Sequence, residues 1–296
     1  MGTSNSNPGP GGGTPLIPTW LGSPGDAPAP NPEDQADPDG DEGSEPTPRA
    51  IPPAPADRAP LQPGDSQRFT AARSALSRFA RSGGESRRNL RHAVSHYVST
   101  SSGGARSAAR RMGSAVGATV GLLHFLSDVR ARGAETALRD VNLAELAGRP
   151  LEEIFLALVE VVCLDGGTID DGIARDAFVE MIAELADLNI TDLDHLTVEQ
   201  MATLLESYAT HAIEGRLCND IGMNVVRLPK DLRAVRQVER ALHDFIRGAV
   251  SDAIEKVRSS LGNVSRGDAR RIVERAYQEA FAILIALADE DEEGDA

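Results

Sequence analysis

The residue at which this chain is best suited to take part in chemistry is Gly2, and that chemistry is acylation of an amine. Because position 2 is small, we expect Met1 to be removed, which leaves Gly2 with a free α-amine. Such an amine has a pKa of about 8, well below that of a lysine, so part of it is an uncharged nucleophile at neutral pH. Lacking a side chain, it can enter a narrow active site. The alternative is an inert, disordered N-terminus.

A compact apolar cluster follows at residues 14–21 and contains the only tryptophan of the chain. Tryptophan is a favoured anchor at protein interfaces, and an apolar motif inside a polar segment is typical of a docking motif. An incidental apolar patch is the alternative. We predict that the tail docks on a partner through Thr3, Ser4, Leu16, Ile17, Pro18, Trp20 and Leu21.

A second candidate surface is basic, because residues 67–112 carry ten arginines against Glu85 as the one acid. Guanidinium groups suit bidentate contacts with phosphates and carboxylates. The segment therefore predicts either a nucleic-acid surface or a surface that docks on acidic protein. The chain contains 28 arginines and only two lysines, so its choice of arginine here says little about phosphate in particular. The candidate interface residues are Arg73, Arg78, Arg87, Arg88, Arg91, Arg106, Arg110 and Arg111.

No other pattern predicts a catalytic, cofactor or metal site. Neither lysine belongs to a Gly-rich phosphate loop. A metalloprotease helix needs a glutamate between its histidines, and a di-iron bundle needs two Glu-x-x-His motifs with two further glutamates. We therefore expect no metal, no cofactor and no enzymatic activity. The pairs with helical spacing that we considered are His92 with His96, His211 with Glu214, and Glu239 with His243.

Charge and composition divide the chain into four segments. Residues 1–66 are rich in Gly, Pro and acids, which predicts a disordered tail with a random-coil span of roughly 45 Å between the apolar cluster and residue 64. Residues 67–112 form a basic helical segment, residues 113–288 an acidic all-α core domain, and residues 289–296 an acidic disordered tail. With two cysteines, no secretion signal and no apolar run long enough for a membrane, we expect a cytoplasmic protein without a membrane partner.

Apolar residues recur with helical spacing through residues 67–112 and 113–288, and no strand pattern is convincing. We predict an all-α fold, a bundle of about five to seven helices preceded by the long disordered N-terminal tail. Thr168 and Thr197 are expected to cap helices, the latter in a capping box with Gln200. Pro150, Pro229 and Ser265 are expected to begin further helices.

Several motifs, taken together in order, resemble the QatB family, the small component of the Qat anti-phage defence system of bacteria. These are Met1-Gly2-Thr3-Ser4, the cluster 15–21, Ser82-Gly83-Gly84 with Arg87-Arg88, the run 93–98, and the run 165–178. The resemblance covers most of the chain except the acidic tether and the C-terminal tail. Its motifs are structural in character and not catalytic.

The resemblance implies a non-enzymatic subunit whose companions are an ATPase, a QueC-like enzyme (QatC-type) and a TatD-like nuclease. QueC enzymes use ATP to activate a carboxylated 7-deazaguanine. By analogy, the QueC-like partner would join that carboxylate to a protein amine, with Gly2 as the acceptor. The alternatives are a nucleic-acid adaptor that uses the arginine-rich segment 68–111, and a purely structural helical adaptor.

Overall fold

The computed structural model describes residues 67–293 except 164–165, 187–189, 191, 223–225, 227, 263 and 266, and it describes side chains as far as residue 287. Within these ranges all regular structure is helical and no strand occurs, which confirms the all-α prediction. The described part of the chain contains ten α-helices: α1 (Thr70–Arg81), α2 (Arg87–His96), α3 (Ala105–Arg110), α4 (Gly113–Arg132), α5 (Ala134–Asp140), α6 (Leu151–Val162), α7 (Ile169–Glu184), α8 (Val198–Ile221), α9 (Leu232–Leu261) and α10 (Ala269–Glu293).

Seven of these helices have apolar residues at helical spacing in the sequence, and α3, α4 and α5 account for the excess over the predicted five to seven. Helices α3 and α5 span six and seven residues, too few for a stripe to repeat. Helix α4 is long but has no clean polar face, because it packs against α5, α6, α7, α8 and α10. A helix that is buried on several sides loses the periodicity that identifies an amphipathic helix.

Reciprocal capping boxes fix the beginnings of α7 and α8, as the sequence predicts for Thr168 and Thr197. The backbone N–H of Asp171 donates to Thr168 Oγ1 at 3.1 Å, and that of Gln200 donates to Thr197 Oγ1 at 3.1 Å. Asp171 also accepts a hydrogen bond from Ser114 Oγ of α4 at 2.8 Å. The hydrogen bonds from Thr168 and Ser114 lower the pKa of the Asp171 carboxyl. The cap of α7 therefore also attaches that helix to α4.

Three other helices begin slightly later than predicted. Pro150 is the N-cap of α6 and not part of its first turn. Helix α9 begins at Leu232, after an aspartate cap at Asp231. The hydroxyl of Ser265 donates to Asp268 at 2.6 Å, and α10 begins only after that residue. The carboxylate of Asp231 fixes the beginning of α9, because its Oδ1 accepts a hydrogen bond from the backbone N–H of Arg233 at 3.2 Å.

The helices α7, α8, α9 and α10 pack in series, each against the next, and α4 lies across α7, α8 and α10. The basic helices α2 and α3 pack on α10, and α1 packs on α2 and α9. Their apolar side chains belong to one continuous core with those of the later helices. The boundary at residue 112 stays a prediction, but the apolar faces on its two sides are buried together. Helix α10 continues to Glu293, into the acidic segment 289–296.

Aromatic side chains connect α6, α7 and α8 at the centre of the core. The ring centroids of Phe155 and Phe178 are 6.3 Å apart, and Phe178 contacts Tyr208 edge-on at 5.6 Å. The buried hydroxyl of Tyr208 donates to the carbonyl oxygen of Ala174 at 3.3 Å. Because that hydroxyl is satisfied, the ring packs without leaving an unpaired polar group in the core.

We expect Phe178→Ala to lower the free energy of unfolding by about 3–5 kcal/mol, because it leaves a cavity between two aromatic rings. The neighbouring substitution Val179→Ala is the matched control, since Val179 is 46% exposed. It should change that free energy by less than about 0.5 kcal/mol. Urea unfolding followed by circular dichroism measures both. Equal effects of the two substitutions would contradict this account of the core.

Candidate functional site

The residues predicted for modification and tail docking lie outside the described part of the chain. They are Gly2, Thr3, Ser4, Leu16, Ile17, Pro18, Trp20 and Leu21. The predicted basic interface is described in full. Its arginines are carried by α1, α2 and α3, with Arg111 directly after α3.

Asp220, near the end of α8, is the centre of a buried network that uses one of these arginines. Its side chain is only 8% exposed, and its Oδ2 lies 2.8 Å from Arg111 Nη2 and 3.2 Å from Arg216 Nε. The hydroxyl of Tyr97 donates to the same oxygen at 3.0 Å. Arg216 also pairs with Asp170 at the beginning of α7. One carboxylate thus connects the basic segment to α8, and through Arg216 to α7.

The charges of this network fix the protonation of its members. Burial, and next to it the negative charge of Asp220, raises the pKa of the Tyr97 hydroxyl above its ordinary value. Partial burial lowers the pKa of Arg216, but the attraction of Asp220 and Asp170 outweighs it and the net shift is upward. Tyr97 therefore stays a hydrogen-bond donor and Arg216 stays a cation throughout the physiological range.

Arg73 is also used inside the fold. Its Nε donates to the carbonyl oxygen of Ile221, the last residue of α8, at 2.7 Å. A cation at a helix C-terminus satisfies a carbonyl that has no partner within the helix and complements the helix dipole. Arg73 and Arg111 therefore both attach the basic segment to the same end of α8.

Of the other six candidate arginines, five are exposed and Arg91 is half-buried. Arg78 donates to Asn89 Oδ1 at 3.3 Å across the turn between α1 and α2. Arg87 and Arg91 line a groove of about 460 Å³ between α2 and α9, beside Phe245 and Asp252. The remaining three, Arg88 on α2 and Arg106 and Arg110 on α3, are exposed. The structure thus divides the predicted interface into two arginines bound at the end of α8, the half-buried Arg91 in the groove, and five exposed arginines.

Gly84 permits the close approach that forms one end of this groove. Its φ is +87°, a left-handed conformation that side chains disfavour. A Cβ built on Gly84 would lie 3.1 Å from the backbone of Gln237 and Val238 in α9. The Ser82-Gly83-Gly84 motif therefore sets how close the turn before α2 comes to α9.

Four exposed apolar side chains on α6 and α7 were not predicted. Leu156 and Val161 on α6, and Ile169 and Val179 on α7, are large apolar side chains that face solvent. Their helices are joined at the surface by Arg175, whose guanidinium binds both carboxylate oxygens of Glu160. The sequence of α6 did indicate exposed apolar residues. Nine of its twelve residues are apolar, which is more than one buried helix face can hold.

The rings of His92 and His96 stack with centroids 6.3 Å apart, as their spacing suggested, whereas His211 and His243 bind partners on other helices. His211 Nε2 lies 3.1 Å from Glu184 Oε1 on α7, and His243 Nδ1 lies 2.9 Å from Glu214 Oε2 on α8. The hydrogen bond to Glu214 raises the pKa of His243. Burial raises the pKa of Glu184, but the hydrogen bond from Ser207 and the charge of His211 reverse this, and the net shift is downward. Contacts between helices decided the pairing, which sequence spacing along one helix cannot show.

Two further features concern reactivity and membranes. Burial raises the pKa of the Cys163 thiol to about 11 and that of Cys218 to about 12, so neither forms a thiolate readily at neutral pH.

In the described helices, no segment has the length and apolar character required to cross a bilayer.

Residues 103–284 match the protein family described as Qat anti-phage system associated protein QatB. This range covers more than half of the 296 residues. The chain belongs to the QatB family. Its membership makes it a component of the Qat anti-phage system, and other components of that system are its partners. No curated protein and no solved structure gives a significant match.

The matched range contains α3 to α9 and most of α10. It therefore includes Asp220, Arg111 and the histidines 211 and 243. The exposed arginines of α1 and α2 precede it. The buried anchor of the basic segment thus lies within the family match, whereas the groove beside α2 lies partly before it.

We expect Arg111→Ala and Arg110→Ala to behave differently although the residues are adjacent. Arg111→Ala removes a charged hydrogen bond to a buried carboxylate and should lower the free energy of unfolding by about 1.5–3 kcal/mol. Arg110→Ala should change it by no more than about 0.5 kcal/mol, because Arg110 is exposed. Thermal and urea unfolding measure both variants. A stable Arg111→Ala variant would show that the Asp220 network does not anchor the basic segment.

Proposed function

We propose that this chain is a non-enzymatic subunit of the Qat anti-phage system that binds a QueC-like enzyme and presents the α-amine of Gly2 for modification by a 7-deazaguanine-type group. Its membership of the QatB family, in a chain that starts Met-Gly, is the observation that carries this proposal. The system's ATPase and TatD-like nuclease complete the proposed set of partners.

The proposed reaction is an amide synthesis. The QueC-like enzyme uses ATP to activate the carboxylate of the 7-deazaguanine. The uncharged Gly2 nitrogen attacks the activated carbonyl carbon and forms a C–N bond. The activating group leaves with the electrons of the C–O bond, and the nitrogen loses a proton to a base of the enzyme. The subunit contributes only the nucleophile, which has a lower pKa than a lysine amine and no side chain beside it.

The predicted docking motif would hold the Gly2 amine close to the active site of the QueC-like enzyme. Leu16, Ile17, Trp20 and Leu21 would bind an apolar site on the QueC-like enzyme and leave the fourteen or so residues before them to reach its active site. Holding a nucleophile close to its target raises the effective concentration by orders of magnitude. Beyond the motif, the acidic tether allows the folded helices to stay attached to a different surface of the complex.

The helical body provides two surfaces for partner binding. Helices α6 and α7, which carry four exposed apolar side chains, provide one, and the groove lined by Arg87, Arg91, Asp244 and Asp252 provides the other. Exposed apolar side chains and arginines beside aromatic residues are both found at protein interfaces. They support the proposed role of the body as the part that binds other subunits.

Intact-mass analysis of the chain co-expressed with the QueC-like enzyme tests the proposal. We expect loss of Met1 and a mass increase equal to one acyl 7-deazaguanine group, with the fragment ion at Gly2. The substitution Gly2→Leu keeps Met1 in place and should abolish both the mass increase and phage defence. Asn5→Ala, which leaves the Gly2 amine and the predicted docking residues intact, is the matched control and should retain the modification. A bare N-terminus in the wild type, with full defence in Gly2→Leu, would refute the proposal.

The exposed arginines favour one alternative, a nucleic-acid adaptor. It predicts duplex or single-stranded DNA binding with a steep salt dependence, and a slope that falls by about 0.9 for each phosphate contact removed. Under our proposal, the net charge of −15 should leave DNA binding weak, in the range of non-specific association. Fluorescence anisotropy of the wild type and of the combined variant Arg87→Gln, Arg88→Gln, Arg106→Gln and Arg110→Gln distinguishes the two. Tight binding that this variant loses would favour the adaptor.

A further inference from the structure

Side chains from three different helices converge where α7 ends between α8 and α9. Glu184 is the last residue of α7, His211 lies in the middle of α8, and His243 lies on α9. Each offers one potential ligand atom, and these three atoms lie within 4.8 Å of one another. Within the described ranges, this is the one group of three such side chains that meets the distance. Two imidazoles and one carboxylate are a common ligand set for zinc and related divalent metals.

The carboxylate is held in the orientation that a metal ligand needs. Glu184 Oε2 accepts a hydrogen bond from Ser207 Oγ at 2.7 Å. Its other oxygen, Oε1, lies 3.1 Å from His211 Nε2. That distance is close to the separation of two ligands that share a tetrahedral zinc ion, for bond lengths near 2.0–2.1 Å. The hydrogen bond from Ser207 to Oε2 therefore positions the Glu184 carboxylate, and its Oε1 lies next to His211.

The second histidine has an orienting partner of its own. His243 Nδ1 lies 2.9 Å from Glu214 Oε2. When Nδ1 carries the proton and donates it to Glu214, the lone pair of the imidazole is on Nε2, which is the form that binds a metal. A carboxylate that orients a ligating histidine in this way is the usual outer partner in zinc sites. The two imidazole rings have centroids 5.0 Å apart and are tilted by 43°.

The burial of the cluster suits a site with an open coordination position. The side chains of His211, His243 and Glu184 are 15%, 21% and 30% exposed, so the ion is reachable from solvent but largely enclosed. Three protein ligands leave room for a water molecule or a group from a partner. The three ligand atoms lie within 4.8 Å of one another, which is farther apart than ligands of one zinc ion. Side-chain movements of roughly 1 Å would bring all three within bonding distance of one ion.

We propose that Glu184, His211 and His243 form a binding site for a divalent metal ion of the zinc class, with Glu214 and Ser207 as positioning residues. The bound ion replaces the hydrogen bond between His211 and Glu184 and ties α7, α8 and α9 together. The proposal is independent of the modification of Gly2, which uses a different part of the chain. It replaces the expectation from sequence that the chain holds no metal, because the ligands come from three helices and share no sequence motif.

Zinc titration of the full chain, purified without a histidine tag and stripped with chelator, tests the site. We expect one Zn²⁺ per chain by calorimetry and elemental analysis, with a higher melting temperature when zinc is bound. His243→Asn and Glu184→Gln should each lose most of that binding. Glu214→Gln should weaken it by about 10- to 100-fold without abolishing it, as expected for an orienting residue.

His195→Ala is the matched control, because His195 is exposed and pairs with Asp192 alone in a two-residue contact. It should bind zinc as the wild type does. X-ray absorption of the zinc-loaded wild type gives an answer even if a variant fails to fold, and we expect two imidazole nitrogens in the first shell. A shell of oxygen atoms only, no stoichiometric binding, or equal loss in His195→Ala would each overturn the site.

Discussion

Helix α8 imposes the constraint on which the rest of this fold depends, because it is packed by α4, α7 and α9 and still carries many polar side chains. A polar group that leaves water without a partner costs several times what a satisfied hydrogen bond contributes. The neighbouring helices therefore have to place hydrogen-bond partners opposite the polar side chains of α8. Ser207 and His211 meet Glu184 of α7, and Glu214 meets His243 of α9. Apolar burial supplies the driving force for packing, and these pairs select which arrangement forms.

The same constraint explains how segments of opposite charge share one fold. Residues 67–112 carry a strong positive charge and the following residues a strong negative charge. On sequence alone, this asymmetry indicates separate partners. In the structure, Arg111 and Arg73 are bound at the end of α8, at Asp220 and at the carbonyl of Ile221. A buried carboxylate that already meets Arg216 and Tyr97 keeps Arg111 in place at little entropic cost. Part of the basic charge thus stabilises the body, and only the remainder is available to a partner.

Local signals predicted the fold well, and contacts between helices could not be predicted. The capping residues Thr168 and Thr197 and the stripes of α6 to α10 depend on neighbours within four residues, so spacing identifies them. Helix α4 was not predicted, because its burial on several sides removes the alternation of apolar and polar faces that identifies a helix in the sequence. The partners of His211 and His243 were missed because they lie 27 and 29 residues away, on other helices. Sequence spacing also could not show that Arg111 is internal and Arg110 exposed. The two residues are adjacent, and only the direction of each side chain decides which guanidinium reaches Asp220.

The scarcity of lysine bears on the selectivity of the proposed modification. An acylating enzyme that acts on this chain encounters only Lys230 and Lys256 as competing side-chain amines. Lys256 is ion-paired with Glu279 on α10. At neutral pH, the uncharged fraction of an α-amine with a pKa of about 8 is roughly two orders of magnitude larger than that of a lysine. A tail that carries the reactive amine on a Gly-rich end, attached to a body with almost no other nucleophilic amine, gives an acyl-transfer enzyme one favoured target without any recognition of the body's surface.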